Sequence, residues 1–129
     1  MFWRKKIAKK SKEVSLWNRF IEEICDKEID TLSEIRRKAV LCFWYDSEVN
    51  GGGHRGYFDV YPEIDSEELI AAIETVGSKE IADNCRKAFS DKSDENLEAA
   101  DTAFYNFSPE LSDYIEKYVE RNKDEIFGN

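Results

Sequence analysis

Leu41-Cys42-Phe43-Trp44-Tyr45-Asp46-Ser47-Glu48-Val49-Asn50-Gly51-Gly52-Gly53-His54-Arg55-Gly56-Tyr57-Phe58 is the stretch whose reading decides the fold. Upstream of it lie Ile35, Ala39 and Val40. Together with Leu41–Tyr45 they predict a helix over residues 32–46, apolar around most of its circumference and therefore central. Ser33 stands where an N-cap belongs, with Arg36 three residues on. Taken alone, Leu41–Tyr45 fits a strand equally well, and periodicity does not separate the two. Gly51, Gly52, Gly53 and Gly56 predict a break, because glycine opens backbone conformations closed to other residues. Tyr57-Phe58-Asp59-Val60-Tyr61 is then either extended or a helical turn with its rings inward.

On either side the pattern is helical. Residues 13–28 carry Val14, Leu16, Trp17, Phe20, Ile21, Ile24 and Cys25 at spacings of three and four, the mark of one apolar helix face. Asp65-Ser66-Glu67-Glu68 is a helix start, with a capping side chain and acids in the first turn. Leu69, Ile70, Ile73 and Val76 form its stripe, and Gly77 is placed to end it as a C′ residue. Ser78-Lys79-Glu80-Ile81 opens the next helix, with Ile81, Ala82, Cys85, Ala88 and Phe89 inward. After a polar connection at 90–96, Leu97, Ala100, Ala103, Phe104 and Phe107 form another stripe. Ser108-Pro109-Glu110 predicts Ser at an N-cap and Pro at the first helical position. Leu111, Tyr114, Ile115, Tyr118 and Val119 follow, and Ile126 and Phe127 are expected to fold back on the core. The expectation is an all-α, single-domain bundle of about six or seven short helices.

The length, 129 residues, suits one domain able to bury a core without staples. The chain divides into a basic N-terminal segment, residues 1–12, and one acidic helical domain, residues 13–129. The first contains Arg4, Lys5, Lys6, Lys9, Lys10 and Lys12 and no acid. The second holds all 28 acidic residues, and the whole chain has a net charge of -9. Such a field repels nucleic acid and attracts basic surfaces. Cys25, Cys42 and Cys85 form no CxxC pair and read as reduced thiols. The opening residues lack the apolar run of a signal peptide, and no stretch is apolar for the 18 or so residues of a membrane span. The expected location is cytoplasmic, with no membrane contact.

No constellation reads as a catalytic or metal centre. His54 is the single histidine, and no third group stands at a recognisable spacing from it. The glycines match neither GxxxxGK[ST] nor GxGxxG after a strand. Metal-ligand runs such as HExxH are absent from the sequence, so no metal and no cofactor is expected. Spread acids remain as the chemical handle. Duplex DNA presents one charge per roughly 1.7 Å of axis, whereas carboxylates at i, i+3 and i+4 on a helix stand about 5–6 Å apart. Imitating a duplex would take two or more facing rows.

Glu48 to Phe58 resembles the signature of the DNA-mimic protein family, a set of small bacterial proteins. That signature runs Glu-Val-x-Asn-Gly-Gly-Phe-x-Gln-Phe-Phe. Val49, Gly52, Gly53, Tyr57 and Phe58 fit it, Asn50 lies within it, His54 stands in place of Phe, and Gly56 in place of Gln. Ile73-Glu74-Thr75-Val76-Gly77, the run from Leu97 to Phe104-Tyr105, and Tyr118-Val119-Glu120-Arg121-Asn122 look like the family too. The resemblance spans roughly residues 13–127. It implies an all-helical fold and mimicry of duplex DNA to occupy a DNA-binding protein. With the acidic charge, the expectation is a non-catalytic protein-binding module, a monomer or homodimer, that binds a basic or DNA-binding protein without touching nucleic acid itself. The acids expected to carry this are Glu67, Glu68, Glu74, Asp94, Glu95, Glu98 and Asp101. Two other readings stand beside it. One is an immunity or regulatory protein that binds by shape around Tyr57, Phe58 and Tyr61. The other is a small-ligand or enzymatic site at His54 and Arg55.

Overall fold

The structure, a computed structural model, describes residues 15–128. The basic segment 1–12 and Val14 of the first stripe lie outside the described residues. Every element among the described residues is helical. Helix α1 (Leu16–Arg19) begins at Ser15, whose hydroxyl accepts from the Asn18 N–H at 3.1 Å. It runs on as a π-helical turn, Phe20–Ile24, and stops short of the predicted residue 28. A 3₁₀ turn, Ile29–Thr31, leads to α2 (Glu34–Val60). Then come α3 (Ser66–Val76), α4 (Lys79–Ser90), α5 (Asp94–Tyr105), α6 (Leu111–Arg121) and α7 (Lys123–Phe127). Helix α2 packs on α3, α3 on α4, α4 on α5, and α5 returns to α2; α6 and α7 also pack on α2. The central element is therefore α2, as its apolar circumference predicts.

Its length decides two open alternatives and corrects one boundary. Leu41–Tyr45 is helix, as the reading of residues 32–46 expects, and not strand. Tyr57–Val60 is helix too, with its aromatic rings turned inward. The glycines do not end the helix at residue 46, because Gly51 and Gly52 keep helical backbone angles and only Gly53 departs, at φ 70° and ψ -177°. Tyr45, Val49, Gly53 and Tyr57, spaced by four, are all buried, so the burial stripe carries through the weak sequence. Gly51 and Gly52 face open space, with nothing within 4 Å of an added Cβ. Glycine inside a helix is worse than alanine by about 0.5–1 kcal/mol. Gly51→Ala and Gly52→Ala are thus each expected to raise the urea midpoint by about that stabilisation, and a fall at either position would contradict their helical, open setting.

Two boundaries also differ from expectation. Glu110, not Ser108, caps α6, and Pro109 precedes the helix. Glu110 and Asp113 there form a reciprocal capping box, which ties down two N–H groups where Ser108 would serve one. Gly77 ends α3 but at φ -106°, not in the left-handed C′ conformation. Its need for glycine is steric: an added Cβ would sit 2.9 Å from Leu111 Cδ1 and 3.1 Å from the Ile73 carbonyl oxygen. Ser33 caps α2 as predicted, and Ser78 caps α4 where the sequence places a helix start. Ile126 is fully buried, and Arg36 fastens the end of the chain by donating to the carbonyls of Ile126 and Gly128, both at 2.8 Å. Cys25, Cys42 and Cys85 are all buried and free.

Candidate functional site

The signature stretch is organised around Gly53 and His54. At Gly53 the helical hydrogen-bond ladder is interrupted, and the N–H of His54 needs another acceptor. Asp101 on α5 supplies it, with Oδ1 at 2.8 Å from the backbone nitrogen. The same oxygen lies 2.7 Å from His54 Nδ1. An ionised carboxylate only accepts, so Nδ1 carries the hydrogen and Nε2 is left with a lone pair. The Tyr45 hydroxyl, 2.6 Å away, donates to it. Both ring nitrogens are thereby occupied. The ring is fully buried and packs against Tyr45, Phe58 and Phe104. Burial disfavours the imidazolium more than Asp101 favours it, so the His54 pKa is lowered from its ordinary value. A neutral histidine with both nitrogens engaged and rings packed around it has nothing to offer a substrate. The arrangement is a clamp that joins α5 to the bend in α2.

The rest of the signature belongs to the same joint. The Tyr105 hydroxyl donates to the Val49 carbonyl at 2.8 Å, and the Asn50 amide donates to the Asp46 carbonyl at 2.8 Å. Tyr57 is in the core, Phe58 packs on Phe89, and Tyr61 stacks on Trp44 with 4.9 Å between ring centroids. Arg55 points outward and pairs with Asp94 at 2.6 Å.

The family model for DMP19-like protein matches residues 30–122. The chain belongs to this family. It is the DNA-mimic family that the signature resembles, and the match covers α2 to α6 entire. Neither the curated proteins nor the solved structures contain a match. Membership leaves the acidic surface to be read residue by residue.

The seven acids singled out from the sequence have different settings. Glu68 is joined through both carboxylate oxygens to Arg37, which Asp30 also approaches at 3.2 Å. Asp94 pairs with Arg55, and Glu74 lies 3.7 Å from Arg86. Asp101 is the clamp. Glu67, Glu95 and Glu98 are exposed and have no ion pair among the described residues. Glu67 and Glu74 are seven apart on α3, and Glu95 and Glu98 three apart on α5, so each pair shares a helix face. A further row lies on α6, among the spread acids of the sequence but outside the seven singled out. Asp113, Glu116 and Glu120 follow one another at i, i+3 and i+7, all exposed and with no ion pair among the described residues. Their spacing was the available signal.

Asp46 is the other residue that composition conceals. It is 8% exposed, and its Oδ1 is buried without a partner. Its carboxyl is pushed up to about 6, first by burial and then by the negative charges of Glu110 and Asp113, against an opposing hydrogen bond from Asn50. A carboxyl raised above its unfolded value, about 3.9, stabilises the fold while protonated. That contribution is complete below the unfolded value and is lost as pH rises through about 6. On moving from pH 7.5 to pH 5 the protein is expected to gain on the order of 1 kcal/mol that Asp46→Asn does not gain. Urea unfolding of both at the two pH values checks this, and an identical pH response would refute it.

Proposed function

We propose that this protein is a non-catalytic binding module whose acidic surface occupies the DNA-binding face of a basic protein. Membership of the DMP19-like family carries the reading. The carboxylates of Glu67, Glu95, Glu98, Asp113, Glu116 and Glu120, which have no ion pair among the described residues, support it, because a carboxylate not neutralised by a neighbouring cation keeps its field for a partner. Glu68, Glu74 and Asp94 add to the surface charge less strongly, being partly neutralised by arginines. No direct contact with nucleic acid follows from a surface of this sign. The protein acts from the cytoplasm, as a monomer or homodimer.

The test is capture of partners from a bacterial lysate at low salt, with elution by rising salt and by duplex DNA. A DNA-binding protein should be retained and displaced by the duplex. The triple variant Glu67→Lys, Glu95→Lys and Glu98→Lys should bind it at least about tenfold more weakly, the equivalent of ~1.4 kcal/mol, and raised salt should weaken the wild type similarly by screening. Partners that survive high salt and ignore DNA would show that shape, not charge, makes the contact.

A further inference from the structure

The outer side of the joint between α2 and α5 holds groups that the clamp leaves unused. Asp101 gives both of its His54 bonds to Oδ1, at 2.8 and 2.7 Å. Its Oδ2 has no hydrogen-bond partner among the described residues and is not enclosed, the side chain being 26% exposed. Asn50 is exposed and turns its amide nitrogen back onto the Asp46 carbonyl at 2.8 Å. Its Oδ1 is thereby left as the free end, an acceptor. In an unbroken helix the Asn50 carbonyl accepts from the N–H four residues on, that of His54; Asp101 has taken that donor, so the carbonyl is released as well. One turn along α5 from Asp101, Tyr105 is 53% exposed, with its hydroxyl held on the Val49 carbonyl at 2.8 Å. An aromatic ring tied down at one end has little freedom left to lose on binding. Gly51 and Gly52, in the same stretch of α2, are exposed, and nothing lies within 4 Å of an added Cβ at either. The backbone there is open to an approaching group.

The contacts hold these groups within reach of one another. Val49, Asn50 and His54 fall within about a turn and a half of α2, roughly 7.5 Å of helical rise. Asp101 and Tyr105, at i and i+4, share a face of α5 about 5–6 Å apart. Every free polar group named is an acceptor, and one of them is a carboxylate. Arg55, the nearest cation along α2, is turned to Asp94 and to the Lys92 carbonyl, at 2.6 and 3.1 Å. We propose that Asp101 Oδ2, Asn50 Oδ1 and the face of Tyr105, beside the open Gly51–Gly52 backbone, form a seat for an arginine side chain presented by the basic partner. A guanidinium donates and never accepts. It is planar and weakly hydrated, so it stacks on a tyrosine ring while its N–H groups reach acceptors at the edge. A lysine ammonium has the charge without the plane. The seat rests on the reading of the protein as a module for a basic surface, and it adds a choice of side chain that spread acids do not supply.

The test separates the seat from the general field by changing no charge. The probes are acetylated, amidated hexa-arginine and hexa-lysine peptides, titrated into the full chain at low salt. Wild type should bind hexa-arginine about fivefold more tightly than hexa-lysine, the size of an exposed cation–π contact. Tyr105→Ala removes the ring, and the double variant Gly51→Leu, Gly52→Leu fills the open strip. Each should lose that preference while binding hexa-lysine as wild type does. The leucine pair sits at exposed helical positions, where leucine is a better helix former than glycine, so its urea midpoint should not fall and a lost preference is not a lost fold. Amide spectra give a second reading, in which hexa-arginine should shift the Gly51 and Gly52 signals more than hexa-lysine does. Equal affinity of wild type for the two peptides, or a preference that survives both variants, would overturn the seat. Should the triple lysine variant at Glu67, Glu95 and Glu98 then still bind both peptides more weakly, the acidic-surface reading survives without the seat. Should that variant also bind as wild type, both fall.

Discussion

Asp101→Ala is expected to destabilise the protein by about 2–4 kcal/mol, the cost of leaving two N–H donors of a buried residue without their acceptor. One oxygen of Asp101 serves two donors, the backbone N–H of His54 at 2.8 Å and its Nδ1–H at 2.7 Å. His54 is fully buried, so both donors depend on Asp101 for an acceptor within the protein. Asp101→Asn retains an oxygen in the same place and should cost roughly half as much, because the neutral amide accepts more weakly. Chemical unfolding of the two variants beside wild type decides the matter. A loss below about 1 kcal/mol for Asp101→Ala, the size of an ordinary surface change, would mean that the clamp does not hold the bend.

Gly53→Ala should cost about 3–4 kcal/mol, from two causes that add. Its backbone lies at φ 70° and ψ -177°, a region open essentially to glycine and costing other residues about 1–3 kcal/mol. A Cβ would also come within 2.4 Å of Asp101 Oδ2, so the carboxylate must leave its position on His54. The two replacements therefore share a cause. The double variant Gly53→Ala, Asp101→Ala should be less destabilised than the sum of the singles by at least about 1 kcal/mol. Strict additivity would show that backbone strain alone acts at Gly53. The contrast with Gly51 and Gly52, where alanine is expected to help, separates three adjacent glycines by setting alone.

The clamp explains why the departure of this chain from the family signature at His54 is accommodated. Where the signature has Phe, the chain places an imidazole, and the polar ring is satisfied on both sides by Asp101 and Tyr45. The consequence for function is a subtraction. Asp101, chosen from the sequence as a surface acid, is committed to the fold through Oδ1, while the exposed acids of the α6 row have no ion pair among the described residues.

Helix identity was legible in the sequence because it depends on neighbours three and four residues away. The stripes Leu69-Ile70-Ile73-Val76 and Leu111-Ile115-Tyr118-Val119, and the cap Ser33, were readable for that reason, and so was the all-α class. The family was readable from the glycine-aromatic run, whose order along the chain is itself the signal. The tertiary structure alone decided what depends on distant residues. Gly51 and Gly52 remain helical because the buried stripe through Tyr45, Val49 and Tyr57 is held by α3, α5 and α6. Gly53 bends because Asp101, 48 positions away in the chain, accepts the N–H that the bend releases. The neutralisation of Glu68 by Arg37 and of Asp94 by Arg55, and the isolation of Asp46, follow from the same cause. A carboxylate's partner is set by which helices meet, and periodicity within one helix carries no record of that.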